Sequence, residues 1–191
     1  MQIVDLRKQN NAILEQAAIL LVEHFDEPSG WPDLPDARES VDEVLEDGFA
    51  FGVLAGETLL GWIGGLPEYD GRVWELHPLI VRREYRQLGL GRTLVEAFEN
   101  EAARRGGLTA TLGTDDNTGM TSLAGVDLYQ DLPRHLAEMR DLGRRHPFLF
   151  YQKLGYRITG VMPDANGRGL PDILMSKPIC ANASDLPGIN Q

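Results

Sequence analysis

Length, composition and charge narrow the class of protein before any motif is considered. The chain has 191 residues, of which 42% are hydrophobic and 25% charged, as expected for one ordinary folded domain. Its 29 acidic and 18 basic residues give a net charge of −11, which argues against a nucleic-acid partner and fits a cationic substrate. No apolar run approaches the ~20 residues needed to cross a bilayer, and the N-terminus lacks a signal-peptide segment. With the single Cys180, this pattern predicts a cytoplasmic protein without a membrane partner.

Strands and helices are expected to alternate along the first half of the chain. The Ser40-Val41-Asp42-Glu43 capping box predicts the start of a short second helix, after a loop rich in proline and acid that contains Trp31. Strands are predicted over residues 2–6, 49–54, 58–66 and 72–81. A first helix is predicted from one apolar stripe formed by Leu14, Ala17, Ala18, Leu21, Val22 and Phe25.

The second half continues this alternation around a polar, irregular segment over residues 115–133. A helix with one apolar row is predicted to end at Gly106-Gly107, and two more are predicted over 131–142 and 147–154. Strands over 109–114, 156–163 and 172–178 complete an α/β fold, a central mixed twisted sheet of six to seven strands flanked by helices. We expect a single domain over residues 1–180 and a frayed tail over 181–191. In the helix predicted to end at Gly106-Gly107, the apolar row contains Leu90, Leu94, Phe98 and Ala102.

A basic, glycine-spaced turn between a strand and a helix is the strongest single signal. Backbone N–H groups at a helix N-terminus bind anions, and glycines let this backbone approach a pyrophosphate and adopt dihedrals closed to other residues. The spacing differs from the P-loop pattern G-x-x-x-x-G-K-[ST] and from the dinucleotide-binding pattern G-x-G-x-x-G, so both motifs are excluded. Arg86-x-x-Gly89-x-Gly91 resembles the acyl-CoA pyrophosphate motif of the GNAT N-acetyltransferases, although a plain surface turn is the alternative. The candidate acetyl-CoA residues are Leu79, Ile80, Val81, Arg86, Gln87, Leu88, Gly89, Leu90, Gly91, Arg92 and Thr93.

The strand before this turn carries polar side chains on one face. Glu75 and His77 alternate with apolar residues, and both can take a proton from an attacking ammonium, directly or through water. Pro78 lacks an N–H group and is therefore expected at a sheet edge or at a bulge. A bulge would leave the Leu79 N–H able to polarise a thioester carbonyl, with the following backbone groups pairing with a pantetheine arm. A structural histidine and a solvated carboxylate are the alternative readings.

A second chemical element lies in the segment from Pro147 to Tyr156. It resembles the GNAT helix whose tyrosine protonates the departing CoA thiolate, and that residue is here Tyr151. A phenol with an ordinary pKa near 10 suits this proton transfer, whereas a packing role is the alternative. Most GNAT proteins carry an asparagine a few residues upstream. This chain has none at that offset, so other residues are expected to hold that part of CoA.

Further blocks resemble the aminoglycoside 6′-N-acetyltransferases, specifically their dimeric chromosomal subgroup. The resemblance spans about residues 12–178. Its blocks include Gly61-Trp62-Ile63-Gly64-Gly65-Leu66-Pro67, Trp74-Glu75-Leu76-His77-Pro78-Leu79, Leu112-Gly113-Thr114-Asp115-Asp116, His146-Pro147 and Gly160-Val161-Met162-Pro163-Asp164-Ala165-Asn166-Gly167.

The resemblance implies acetyl transfer from acetyl-CoA to the 6′-amine of an aminoglycoside, by direct attack in a ternary complex. It implies splayed parallel central strands, a homodimer, antibiotic resistance, no metal and no covalent intermediate. Catalysis is assigned to Tyr151, Glu75, His77 and Leu79. Contacts with the polycationic sugar are assigned to Trp31, Tyr69, Glu75, Asp115 and Asp172.

Two other functions stay open at this point. The substrate could be another amine, such as a polyamine or a basic protein, with drug acetylation incidental. The protein could also be a non-catalytic acyl-CoA sensor, although a sensor has no need of Tyr151 as a proton donor.

Overall fold

The computed structural model describes residues 1–25 and 30–180, and every element named below lies within these ranges. The strands are β1 (Gln2–Asp5), β2 (Phe49–Ala55), β3 (Thr58–Glu68), β4 (Val73–Val81), β5 (Thr109–Asp115), β6 (Arg157–Met162) and β7 (Asp172–Pro178). The helices are α1 (Asn11–His24), α2 (Leu34–Asp47), α3 (Leu90–Arg104), α4 (Leu132–Ala137) and α5 (Phe148–Lys153). The strands form one seven-stranded sheet in the order β1-β2-β3-β4-β5-β7-β6, which confirms the predicted α/β fold. The predicted tail lies outside the described residues.

The chain divides into two compact units, which are described separately. Among the described residues, the first contains those of Met1–Gln9, Glu43–Ala110 and 178–180, and the second contains those of Asn10–Asp42 and Thr111–Lys177. The single-domain assignment over residues 1–180 stays a prediction. Within the described ranges, no helix combines the length and the apolarity that a bilayer crossing requires.

The first unit is an antiparallel meander of β1 to β4 with α3 packed on it. The Phe49 ring lies 5.0 Å from the Trp74 ring and 5.7 Å from the Phe98 ring, between centroids, and joins the sheet to α3. Burial of such side chains contributes about 1.5–3 kcal/mol each, and this apolar layer fixes α3 against the sheet. The predicted apolar row of α3 is confirmed, because its members are buried: Leu90, Leu94, Phe98 and Ala102.

The second unit begins with α1, whose first turn is capped by the Asn10 side chain accepting the Ile13 N–H at 3.1 Å. The predicted stripe is partly wrong, because Val22 is exposed. The buried face of α1 is rotated relative to the predicted stripe. It is formed by Ile13, Ala17, Ala18, Leu20 and Leu21.

Helix α2 begins at Leu34, so the predicted start at Ser40 is wrong. The Asp33 carboxylate accepts the Asp36 N–H at 3.0 Å and acts as the helix cap. Pro35 lies in the first turn, where its missing N–H costs no intrahelical hydrogen bond. The earlier cap therefore determines where the helix starts, and Ser40 lies inside it.

The remainder of the second unit combines β5, β6 and β7 with a long connection. Strands β6 and β7 are antiparallel. Helix α4 ends at Ala137 rather than at the predicted residue 142. It ends early because the Ser122 N–H donates to the Arg140 carbonyl at 3.0 Å and the Leu142 N–H donates to the Met120 carbonyl at 2.8 Å. These long-range bonds draw the segment after α4 out of helical geometry.

Candidate active site

Of the two positions expected for Pro78, a sheet edge and a bulge, the structure has the bulge, because β4 lies between β3 and β5. In the pairing of β3 with β4, Ile63 lies opposite Leu79 and Gly65 lies opposite Leu76, so β4 has one more residue between these pairs than β3. A proline cannot donate to the ladder, and the extra residue accommodates it. The bulge therefore interrupts regular pairing immediately before Leu79.

The two faces of β4 follow the predicted alternation. Glu75 is half-buried and His77 is exposed, whereas Trp74, Leu76, Pro78 and Ile80 are buried. Gly64 lies beside the bulge, where a Cβ atom would collide with the His77 carbonyl oxygen. A glycine on β3 is therefore required for the backbone to pass close to the bulge.

The half-buried position of Glu75 changes the proton affinity of its carboxyl. Burial raises the pKa of the Glu75 carboxyl above its ordinary value, and the negative charge of Glu68 on β3 raises it further. A base is most effective when its pKa lies near the working pH. Its predicted role as a base is compatible with this shift and stays a prediction, as does that of His77.

Tyr69 lies in the turn between β3 and β4, in the same unit as Glu75. Its side chain is 74% exposed. Its backbone has a φ of 48° in the left-handed region. An exposed aromatic ring near the start of β4 can contact a ligand, and this role stays a prediction.

The basic turn after β4 places an open helix N-terminus at Gly89. Gly89 precedes α3 with φ 85° and ψ −5°, a conformation that favours glycine. Among the described residues, no side chain caps this terminus. The first N–H groups of α3 are those that a helix leaves without intrahelical partners, and they suit an anion.

Gly91 corrects one expectation about this turn. It lies inside α3 and has no positive φ, so the prediction that it adopts a dihedral closed to other residues is wrong. The second left-handed residue of the turn is Gln87, with φ 64°. Gly91 therefore contributes the lack of a side chain rather than an unusual backbone.

Two side chains of the predicted acetyl-CoA set stabilise the turn itself. The Arg86 Nε donates to the Val81 carbonyl at 3.0 Å, and the Thr93 hydroxyl donates to the Gly89 carbonyl at 3.2 Å. Arg92 is exposed and lies 3.9 Å from the Glu96 carboxylate. The turn thus carries positive charge beside the open N-terminus of α3.

Tyr151 lies on α5 in the second unit and is only 9% exposed. Its ring packs edge-on against Phe150 and Tyr156, with centroid separations of 5.1 Å and 5.7 Å. Burial raises the pKa of the Tyr151 phenol above its ordinary value. The hydroxyl therefore keeps its proton at neutral pH, as a proton donor must, and its catalytic role stays a prediction.

The structure brings Asp115 and Asp172 to the same end of β5 and β7. Gly113 and Asp115 share one face of β5, and a Cβ on Gly113 would overlap the Asp172 carboxylate. The Asn166 side-chain amide donates to the Asp115 carboxylate at 2.6 Å. Two carboxylates at one strand end create a negative surface suited to a cation. Their predicted contact with a substrate stays a prediction.

Trp31 also belongs to the second unit and packs edge-on against Phe25, with ring centroids 5.2 Å apart. The predicted substrate residues are thus distributed over both units, with Tyr69 and Glu75 in the first and the remainder in the second. The role of Trp31 stays a prediction.

Sequence reasoning missed the buried polar residues that organise the segment between β5 and α5. Asp116 is fully buried and accepts the Thr121 N–H at 2.8 Å and the Thr121 hydroxyl at 2.7 Å. The pKa of the Asp141 carboxyl is lowered, mainly by the hydrogen bond from the His146 backbone N–H. In the sequence, the only signal for this network was the acidic residue Asp116 directly after β5. Its hydrogen-bond partners come from the connecting segment, whose path the sequence does not give.

Three solved structures resemble the chain over nearly its full length, each covering 95% of this chain and 99% of the other. An aminoglycoside 6′-N-acetyltransferase from Enterococcus faecium is 38% identical with a TM-score of 0.85. A second aminoglycoside 6′-N-acetyltransferase, complexed with coenzyme A, is 37% identical with a TM-score of 0.85. An aminoglycoside 6′-acetyltransferase type Ii is 33% identical with a TM-score of 0.70. No curated protein matches at the sequence level.

The family profile for GNAT acetyltransferases matches residues 17–130. With the fold and the three similar structures, this match shows that the chain belongs to the GNAT acetyltransferase family and is an acyltransferase. The resemblance to aminoglycoside 6′-N-acetyltransferases inferred from the sequence is confirmed. Its assignment to the dimeric subgroup stays a prediction.

Proposed function

We propose that this enzyme transfers an acetyl group from acetyl-CoA to the 6′-amine of aminoglycoside antibiotics. The proposal is carried by its similarity to two aminoglycoside 6′-N-acetyltransferases, 37% and 38% identical over 95% of this chain. One of them is complexed with coenzyme A. In this proposal no metal ion, nucleic acid or membrane takes part, and the enzyme is a homodimer.

In this proposal the first unit binds acetyl-CoA. The open N-terminus of α3 at Gly89 suits the pyrophosphate, with Arg86 and Arg92 adding positive charge. The backbone from Leu79 to Val81 is assigned to the pantetheine arm, and the Leu79 N–H to the thioester carbonyl. Acetyl-CoA supplies the acetyl group as a thioester that an amine can attack.

The proposed chemistry requires two protons to leave the substrate nitrogen, one before the attack and one as the amide forms, and one proton to reach sulfur. Glu75, with His77 nearby on the strand, takes a proton from the substrate ammonium, directly or through water. The neutral amine nitrogen then bonds to the carbonyl carbon, the carbon–sulfur bond breaks, and the nitrogen releases its second proton to solvent as the amide forms. Tyr151 gives its phenolic proton to the leaving thiolate. The raised pKa of Glu75 is compatible with a base. The Tyr151 phenol is protonated before the transfer, but its raised pKa makes it a weaker acid than an ordinary tyrosine.

The proposed substrate specificity rests on charge. Asp115 and Asp172 attract the ammonium groups of a polycationic sugar, and the net charge of −11 supports their effect. Trp31 and Tyr69 are assigned to stacking against the sugar rings. Acetylation removes one positive charge from the drug, which is how the reaction would confer resistance.

Free-thiol release from acetyl-CoA tests the proposal, with kanamycin A compared to a matched drug that has a 6′-hydroxyl. Mass spectrometry of the product checks for one added acetyl group. Release with the 6′-amine drug alone is expected. Absence of release with both drugs, while acetyl-CoA still binds, would reject the drug as substrate.

A polyamine or a basic protein is the competing substrate, since negative surfaces attract any polycation. Its kcat/KM should therefore be measured beside that of kanamycin A. A preference of about a hundredfold for the polyamine would replace the proposed substrate, because this difference exceeds what incidental contacts supply.

A further inference from the structure

His146 connects the start of α5 with the end of β5 through both of its ring nitrogens. The side chain is 1% exposed. Its Nδ1 accepts the Phe148 N–H at 3.1 Å, and its Nε2 lies 3.0 Å from the Asp115 carbonyl oxygen. A carbonyl oxygen only accepts hydrogen bonds, so Nε2 carries the hydrogen and Nδ1 does not. The two contacts therefore select one neutral tautomer of the ring.

The backbone of His146 is held as firmly as its side chain. Its N–H donates to the Asp141 carboxylate at 2.9 Å, and its carbonyl accepts the Leu149 N–H at 3.1 Å. Burial lowers the pKa of the imidazole, against the opposing effects of the Asp115 carbonyl and the charges of Asp116, Asp141 and Asp115. The ring is thus a neutral, fixed connector rather than a titrating group.

Helix α5 needs such a connector because it is only six residues long. A helix of this length has little stability of its own, so its direction is set by tertiary contacts. Phe148 is its first residue, and Tyr151 follows almost one turn later. The bond from Phe148 to His146 therefore sets the position from which the Tyr151 phenol is presented.

We propose that His146 is a positioning residue that holds the Tyr151 hydroxyl at a fixed place relative to the acidic end of β5 at Asp115. It acts through the Phe148 N–H and the Asp115 carbonyl. The inference rests on the proposed function, since it concerns the proton donor and the cation-binding strand end of that reaction. A displacement of about 1 Å in such a group can reduce a rate by up to a hundredfold.

Two conservative variants separate the two contacts. In His146→Asn the amide oxygen can take the place of Nδ1 and accept the Phe148 N–H, but the side chain is too short to reach Asp115. In His146→Gln the amide nitrogen can take the place of Nε2 and donate to the Asp115 carbonyl, but the Phe148 bond is lost. His146→Leu removes both contacts while it retains an apolar filling. The half-buried His135 on α4 provides the control variant, His135→Asn.

The expected result is a kcat reduced at least tenfold in His146→Leu, with intermediate values in His146→Asn and His146→Gln. The Kd of CoA, measured by calorimetry, is expected to change less than twofold. His135→Asn should retain wild-type kcat. If His146→Leu fails to fold, as judged by circular dichroism, the Asn and Gln variants still decide the question.

A double-mutant cycle distinguishes positioning from general loss of structure. In a Tyr151→Phe background, the His146 variants are expected to lower kcat less than twofold further, because the group they position is already absent. An equal loss in both backgrounds, or wild-type kcat in His146→Asn and His146→Gln, would overturn the inference. A wild-type enzyme that releases no thiol would reject the proposed function instead. The ¹⁵N shifts of the His146 ring test the inference in that case, because a charged or Nδ1–H ring would contradict it.

Discussion

Burial shifts the pKa values of Tyr151 and Glu75 in the same direction, but the consequences for catalysis differ. A higher pKa keeps the Tyr151 phenol protonated, which preserves the proton that it is proposed to donate. A higher pKa makes the Glu75 carboxyl retain its proton to a higher pH, which removes its ability to accept one. The proposed base, rather than the proposed acid, should therefore limit activity on the acidic side.

Tyr151→Phe is expected to lower kcat by about a hundredfold, the lower end of the range for loss of a general acid. The phenyl ring keeps the packing against Phe150 and Tyr156, so the Kd of CoA should stay within about twofold of wild type. Steady-state kinetics and calorimetry measure these two quantities. Tyr129→Phe is the matched control, because Tyr129 is 77% exposed in the same unit. An unchanged kcat in Tyr151→Phe would exclude the phenol from the mechanism.

Glu75→Gln is expected to lower kcat/KM and to abolish the acidic limb of its pH profile. The base acts when ionised, so wild-type activity falls as the pH decreases through the raised pKa of Glu75. Because the folded-state pKa is raised, the folded state also binds more protons than the unfolded state, and the Glu75 contribution to stability decreases as pH rises through these pKa values. Glu75→Gln should therefore melt at or above the wild-type temperature near pH 7. An acidic limb that persists in the variant would assign it to another group.

Among the secondary-structure elements, α3 begins after Gly89, a glycine whose position has room for a side chain. A Cβ on Gly89 would meet nothing within 4 Å, so the requirement for glycine comes from its φ of 85° alone. Gly56 in the turn between β2 and β3 is similar, with a φ of 62° and nothing within 4 Å. The two glycines are matched in backbone conformation and free space, but only Gly89 adjoins the proposed anion site.

Gly89→Ala and Gly56→Ala are each expected to destabilise the protein by about 1–2 kcal/mol, the cost of the left-handed conformation for an ordinary residue. Only Gly89→Ala should weaken CoA binding, because only this change alters the N-terminus of α3. Urea unfolding and calorimetry with CoA measure the two effects. Equal CoA affinity in both variants would place the pyrophosphate elsewhere.

For the whole molecule, the excess of acidic residues should matter most for how the substrate is captured. The net charge of −11 attracts polycations at low ionic strength, and salt screens this attraction beyond a Debye length of ~10 Å at 0.1 M. The kcat/KM for kanamycin A is therefore expected to fall several-fold between low and moderate salt. An acceptor amine with a single charge, measured as the control, should show a weaker dependence. Equal salt responses would show that the acidic surface does not take part.

Features that depend on near neighbours could be predicted from the amino-acid sequence. Alternation along β4, the bulge at Pro78, the apolar row of α3 and the open turn at Gly89 follow from periodicity and from the properties of proline and glycine, which act over a few residues. The family could also be inferred from the sequence, because its motifs are short contiguous blocks. The misplaced start of α2 shows the limit of local signals, because the cap at Asp33 prevailed over the equally local pattern at Ser40.

Features that join residues distant in sequence depend on tertiary packing, and local patterns did not predict them. The early end of α4, the proximity of Asp172 to Gly113, and the two hydrogen bonds of His146 each join segments that no periodic pattern connects. A buried polar group gains its partner from whichever backbone the fold brings to it, because leaving it without one costs about 1–3 kcal/mol. In this protein such hydrogen-bond partners are determined by how β5, β7 and α5 pack together.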